Sequence, residues 1–210
     1  MEIKYLGHSC FKITENKFSV ILDPYKAGSV PGLSSLKETA NQVIPSHMHD
    51  DHAGLREVKL SSTRVDAPFA LNFIPTYHDD QLGTLRGPNN VTILSFGNIT
   101  VVHMGDIGCE LSDDELEIIR DCDVLLIPVG GFFTVSPEIA ADYVRRINPK
   151  ITVPMHYRGE TFGYDVIGTL DNFLKNFKEG EITIEDGESS FELESKPEGH
   201  KILCLKPAKA

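Results

Sequence analysis

The segment Ser46-His47-Met48-His49-Asp50-Asp51-His52 decides how this chain is read. It has the form H-x-H-x-D-H, with three imidazoles and a carboxylate inside six residues. Alternate side chains of an extended segment point the same way, so His47 and His49 are placed to grip one ion together. Asp51 and His52 follow as the chain turns and are placed to serve a second. Neutral imidazole and carboxylate suit zinc and related divalent cations. A histidine taken alone is more often a surface or core residue than a ligand. Burying this many polar groups at once without an ion would leave several of them unsatisfied.

Working outward, further donors recur directly after apolar, strand-like stretches. His78 follows 71–77, Asp106 stands in Met104-Gly105-Asp106-Ile107-Gly108, and His156 stands in Pro154-Met155-His156-Tyr157. The strands expected in the first half are 3–6, 10–13, 18–22, 43–45 and 69–75, with a hairpin of 91–96 and 99–104 around Gly97-Asn98. Residues 25–40 read as a loop with one short helical turn. Ser112-Asp113-Asp114-Glu115 is a capping box opening a helix to Arg120. Ser136-Pro137-Glu138 opens a second helix to Ile147, with proline at its first position. A third is expected over 166–177. Val124–Val129 is a continuous apolar run, as in a strand covered on both faces. Strands at 151–154, 181–184, 190–193 and 202–205 complete the pattern. Two packed sheets with helices outside accommodate this order.

The chain has 210 residues, 40% hydrophobic and 24% charged, with a net charge of −11. The range 1–210 reads as one domain, since no linker, repeat or composition shift divides it. The acidity disfavours nucleic acid and anionic membrane as partners. No apolar run approaches the ~20 residues that span a bilayer. The opening residues lack the pattern of a signal peptide, so the expected location is cytoplasmic. Cys10, Cys109, Cys122 and Cys204 form no CxxC pair and read as reduced, small hydrophobes. A small-molecule substrate is the expected partner, and homo-oligomerisation is left open.

The set His47, His49, Asp51, His52, His78, Asp106 and His156 resembles the metallo-β-lactamase-fold hydrolases in order and spacing, over nearly the whole chain. Gly7-His8-Ser9-Cys10-Phe11, Asp23-Pro24, Leu85-Arg86-Gly87, Pro128-Val129-Gly130-Gly131 and Pro154-Met155-His156-Tyr157 are similar to the branch containing L-ascorbate-6-phosphate lactonase and small Zn-dependent hydrolases. The resemblance implies an α/β protein, an αββα four-layer sandwich of two mixed sheets with helices on the outer faces. It implies that His47, His49 and His78 hold one metal, that Asp51, His52 and His156 hold a second, and that Asp106 bridges them. Zinc is the first candidate, with manganese, iron or nickel as alternatives. It further implies a bridging hydroxide that attacks a small ester, lactone or phosphorylated metabolite, with Asp51 and Asp106 as the catalytic carboxylates.

Around the metals, Arg86 is a candidate clamp for an anionic substrate group, against an ion pair with Asp79 or Asp80. His8 is a candidate contact to substrate or metal-bound water, and Tyr157 a candidate for the mouth of the site. His103 reads as a supporting or core residue. A phosphodiesterase on the same metals, a di-iron redox protein and a non-enzymatic ligand-binding domain are the competing expectations.

Overall fold

The computed structural model describes residues 1–210. Its strands, in chain order, are β1 (Glu2–Gly7), β2 (Cys10–Glu15), β3 (Phe18–Leu22), β4 (Glu38–Ala40), β5 (Gln42–Ile44), β6 (Val58–Leu60), β7 (Ala70–Tyr77), β8 (Pro88–Phe96), β9 (Ile99–His103), β10 (Val124–Pro128), β11 (Ile151–Met155), β12 (Thr183–Asp186), β13 (Ser190–Glu192) and β14 (Lys201–Cys204). The helices are α1 (Asp113–Ile119), α2 (Pro137–Ile147) and α3 (Leu170–Leu174). A five-stranded mixed sheet has the order β13-β1-β2-β3-β5, and a seven-stranded mixed sheet the order β12-β14-β11-β10-β9-β8-β7.

Strand alternation divides the apolar residues between layers. Val101, Val124, Leu126 and Val153 of the larger sheet face Tyr5, Phe11, Val20 and Leu22 of the smaller one. Val102, Leu125 and Ile127 point the other way, onto Leu116, Tyr143, Val144 and Phe173 of the helices. β10 is therefore buried throughout, which explains its unbroken apolar run.

Local signals set the helix ends. Ser112 and Glu115 form the reciprocal capping box. Ser136 accepts from the Ile139 N–H, Pro137 follows it, and Asn148 closes α2 in the left-handed conformation.

Two expectations need adjustment. The third helix covers only Leu170–Leu174, not 166–177. The segment before it is held by other chain, because the Gly168 N–H donates to the Gly130 carbonyl and the Arg158 N–H to the Gly168 carbonyl. The outer face of the five-stranded sheet carries no helix. It is covered by the 25–40 segment and the parallel β4–β6 pair, with Tyr25, Val30, Leu33 and Leu36 packed over Leu6 and Ile21. The outer layer is thus present there, built from irregular chain whose apolar side chains do the covering.

The arrangement brings the donors together by strand direction. β1, β3 and β5 run the same way, and so do β7, β9 and β11. The C-terminal ends of each trio meet along one edge of the sandwich. His8, Asp23, the 46–52 segment, His78, Asp106 and His156 each follow one of those ends.

Candidate metal centre

At that edge three imidazoles from distant parts of the chain converge on one oxygen. Nε2 of His52, His78 and His156 lie 3.0, 3.2 and 3.1 Å from Asp106 Oδ2. Yet Nε2 of His52 and of His156 makes no hydrogen bond, and Asp106 Oδ1 is buried without a partner. Close approach without hydrogen-bond geometry is what donor atoms aimed at a common ion show. His47 Nε2 and His49 Nδ1 also face each other at 3.1 Å.

The donor atoms fall into groups whose members lie within 4.8 Å of one another. One is His47, His49 and His78, as expected. Another is Asp51, His52 and His156, also as expected, joined by His8. Donors ~2.1 Å from one ion at tetrahedral angles stand about 3.4 Å apart, so spacings of 3.0 to 3.7 Å fit divalent coordination. All seven ligand residues assigned from the sequence are therefore brought together, and they fit the cations implied by the fold.

Outer partners fix the rings. Asp23, buried after β3, accepts from the Ser46 N–H and hydroxyl, and its Oδ2 is 2.7 Å from His52 Nδ1. His52 Nδ1 is thereby the protonated nitrogen, which leaves Nε2 free. The Ser46 hydroxyl, spent on Asp23, accepts from His47 Nδ1 at 2.9 Å and frees His47 Nε2 in the same way. Asn89 accepts from the Asp106 N–H and donates to the Met104 carbonyl and to Thr76. Gly105, at φ +57°, allows that approach, because a Cβ there would lie 2.3 Å from Asn89 Oδ1 and 2.6 Å from Ser46 Cβ. His8, Asp23 and His156 adopt left-handed backbone with φ of 56°, 44° and 53°, so three of the strained positions belong to the site.

The electrostatics without ions show the same polarisation. Burial, followed by the neighbouring His52, pushes His47 down to about 3. Burial and then His156 push His8 down to about 4, against the pull of Asp51. Burial opposes protonation of His52 as well, but Asp106 and Asp23 outweigh it and hold His52 well above its usual value. Burial would raise Asp51 and Asp106, yet the facing histidines keep both carboxyls low.

A cavity of about 300 Å³ opens over the centre, lined by His49, Asp51, His78, Arg86, Asp106, Phe133 and Tyr164. The Arg86 guanidinium takes no ion-pair partner and lies 5.6 Å from the Phe133 ring centroid. Asp79 does not pair with it. Its carboxylate instead accepts the backbone N–H groups of Gln81, Gly83, Leu85 and Arg86, and so shapes the loop that carries Arg86.

Two substrate-contact expectations are corrected. Tyr157 does not line the mouth. It is buried against Phe162, with its hydroxyl donating to the Leu205 carbonyl, because the left-handed turn at His156 sends the next side chain inward. His8 is fully buried among the candidate ligand residues and does not line the cavity. His103 supports the scaffold: its Nε2–H donates to the Ser9 carbonyl and its Nδ1 accepts from the Gly105 N–H.

Sequence reasoning did not assign Asp23, Ser46, Asn89 or Tyr164. Asp23-Pro24 directly after a strand is a usable signal for the first of these. Tyr164 has none. Its hydroxyl reaches the Ser29 carbonyl at 2.8 Å and Asp51 Oδ2 at 3.3 Å only through the fold.

Two packed mixed sheets with a His/Asp cluster at one edge, and an ion-sized convergence of donors within it, define a metallohydrolase-type scaffold. Residues 2–156 match the model of the β-lactamase superfamily domain, and the chain belongs to that family. It is similar to a UPF0173 metal-dependent hydrolase of Desulforamulus reducens, 27% identical over 192 residues, covering 75% of this chain and 84% of the relative. A UPF0173 metal-dependent hydrolase of Thermus thermophilus is 28% identical over 189 residues with the same coverage. Among solved structures, a member of the metallo-β-lactamase superfamily from Thermotoga maritima superposes with a TM-score of 0.74 at 28% identity, covering 97% of both chains.

Proposed function

We propose that the protein is a metal-dependent hydrolase that binds two divalent cations, zinc first among them, and cleaves a small anionic ester, lactone or phosphorylated metabolite. One observation carries the reading: three imidazole nitrogens converge on Asp106 Oδ2 within 3.2 Å, those of His52 and His156 without a hydrogen-bond partner. The names of the similar UPF0173 proteins support it. His47, His49 and His78 would hold one cation, Asp51, His52 and His156 the other, and Asp106 would stand between them. Such a pair, when bound, polarises a carbonyl or phosphoryl oxygen and lowers the pKa of water.

The chain's own residues supply the rest. Asp23 and Ser46 keep His52 and His47 in the ligating tautomer. Asp51, kept ionised by the facing His8 and His52 against the effect of burial, presents a negatively charged oxygen at the cation group. Arg86 binds the anionic group of the substrate at the rim, where its charge is unspent. Phe133 and Tyr164 narrow the mouth and limit water.

The test is elemental analysis of the purified protein followed by a screen of phosphorylated lactones, carboxylic esters and phosphodiesters. About two metal equivalents, and hydrolysis abolished by chelator and restored by metal, are expected. Full hydrolysis after complete metal removal would overturn the proposal. Which substrate class turns over separates attack at carbon from attack at phosphorus, since the same ligands serve both.

A further inference from the structure

We infer that His8 is a direct ligand of the inner cation, so that the two metal positions differ in kind: one closed and tightly held, the other open to substrate. This rests on the two-cation reading above.

His8 Nε2 stands 3.2 Å from Asp51 Oδ2. A residue that merely orients a ligand sits behind it and touches it alone. His8 instead brings a nitrogen within 4.8 Å of donor atoms of Asp51, His52 and His156 together. Its ring lies 4.1 Å from that of His156 and 5.4 Å from that of His52, centroid to centroid. Its side chain is wholly buried, and its Nδ1 has no hydrogen-bond partner.

The backbone is held for this purpose. His8 has φ +56°, and its carbonyl accepts from both the His156 N–H at 2.8 Å and the Tyr5 hydroxyl at 2.9 Å. The same bonds tie the β1–β2 turn to the loop carrying another ligand of the group.

Counting protein donors then separates the two positions. Apart from Asp106, which stands between the groups, the inner group has four donors, His8, Asp51, His52 and His156, the histidines among them fully buried. The outer group has three histidines, of which His49 is exposed and, with His78, lines the cavity beside Arg86. With one protein donor fewer than the inner group and an exposed side toward the cavity, the outer position is the one with room for an exchangeable ligand, as catalytic sites keep. The outer position is thus the one that exchanges ligands with substrate, and the inner one anchors the edge of the two sheets.

The probe is zinc, with cobalt or cadmium as spectroscopic substitutes, measured without reference to activity. Dialysis of the wild-type protein against a competing chelator should remove one equivalent readily and the second at least 100-fold more slowly. X-ray absorption of the one-metal form should count three imidazoles. In His8→Gln, which retains a hydrogen-bonding group for Asp51 but is a poor ligand, the retained equivalent should become as labile as the first, and the count should fall to two. His8→Cys should restore retention and add a sulfur scatterer, which a purely structural role would not produce. Should the variants fail to fold, the imidazole count of the one-metal form of His49→Gln, in which the outer group keeps only two histidines, still decides. Two imidazoles there, or wild-type retention in His8→Gln, would overturn the inference and leave the two-cation reading standing. Absence of any divalent binding by the wild type would overturn both.

Discussion

The two donor groups at the sheet edge lie side by side and differ in donor number and in the exposure of their histidines. His47, His49 and His78 form the group next to the cavity, with His49 exposed and the unpaired guanidinium of Arg86 at hand. His8, Asp51, His52 and His156 form the group beneath, and its three histidines are sealed from solvent. Asp106 touches both, through His78 on one side and His52 and His156 on the other. Asp23 also serves both, directly at His52 and through Ser46 at His47. On the reading inferred above, one strand edge carries both an anchoring site and a reacting site. Burial and donor number, rather than residue type, separate the two.

Removing the shared carboxylate breaks the comparison most severely. Asp106→Ala should cost both positions, lowering metal affinity and hydrolysis by more than the roughly 100-fold at the top of the range for outer partners. Elemental analysis alongside turnover measures it, and retention of two tightly held equivalents would contradict the shared role.

Asp23→Asn acts one step further out. It keeps the shape but cannot accept from Ser46, His52 and the Ser46 N–H equally well. A loss of about 10- to 100-fold in metal affinity is expected at both positions, read by competition titration. A loss confined to one position would show that the Ser46 relay to His47 is dispensable.

Arg86 tests the open side alone. Arg86→Ala should raise KM for an anionic substrate about tenfold, equivalent to ~1.4 kcal/mol, with kcat nearly unchanged. Metal content should stay at the wild-type level. A fall in kcat with constant KM would assign Arg86 to the transition state instead.

Acid probes the metal-free protein most gently. His8 and His47, pushed by burial down to about 4 and about 3, stay neutral in the fold while the unfolded chain takes up protons below about pH 6.5. Their stabilising contribution is present above that pH and is lost as pH falls through the folded values. His52, raised in the fold, is protonated in both states across this window and does not offset the loss. The Tm of the chelated protein should therefore drop between pH 6.5 and 4, by roughly 2–4 °C for each kcal/mol lost. A flat or rising profile would show that the buried histidines are hydrated.

Much of this was legible before any coordinates. The H-x-H-x-D-H spacing, the donors placed after apolar strands, the capping box at Ser112 and the proline start at Pro137 all reappear where their local chemistry puts them. Such features depend on residues a few positions apart, or on strand ends that any two-sheet packing aligns. Others are legible only in three dimensions. Tyr157 stands directly after His156 and Tyr164 carries no such signal, yet the left-handed turn at His156 buries the first and the fold delivers the second to Asp51. The third helix is cut short at Leu170 by backbone hydrogen bonds to distant loops, which no window of helical periodicity registers.

The sequence by itself determined the donor inventory, the strand and helix punctuation, and hence the sandwich with its edge site, because those follow from side-chain chemistry and from periods of two and 3.6 residues. The tertiary structure alone decided which donors stand together, that His8 joins the buried set, and that Asp23 hydrogen-bonds toward both groups. Those relations join residues as far apart as His8 and His156, and only packing the two sheets against each other brings them within hydrogen-bonding distance.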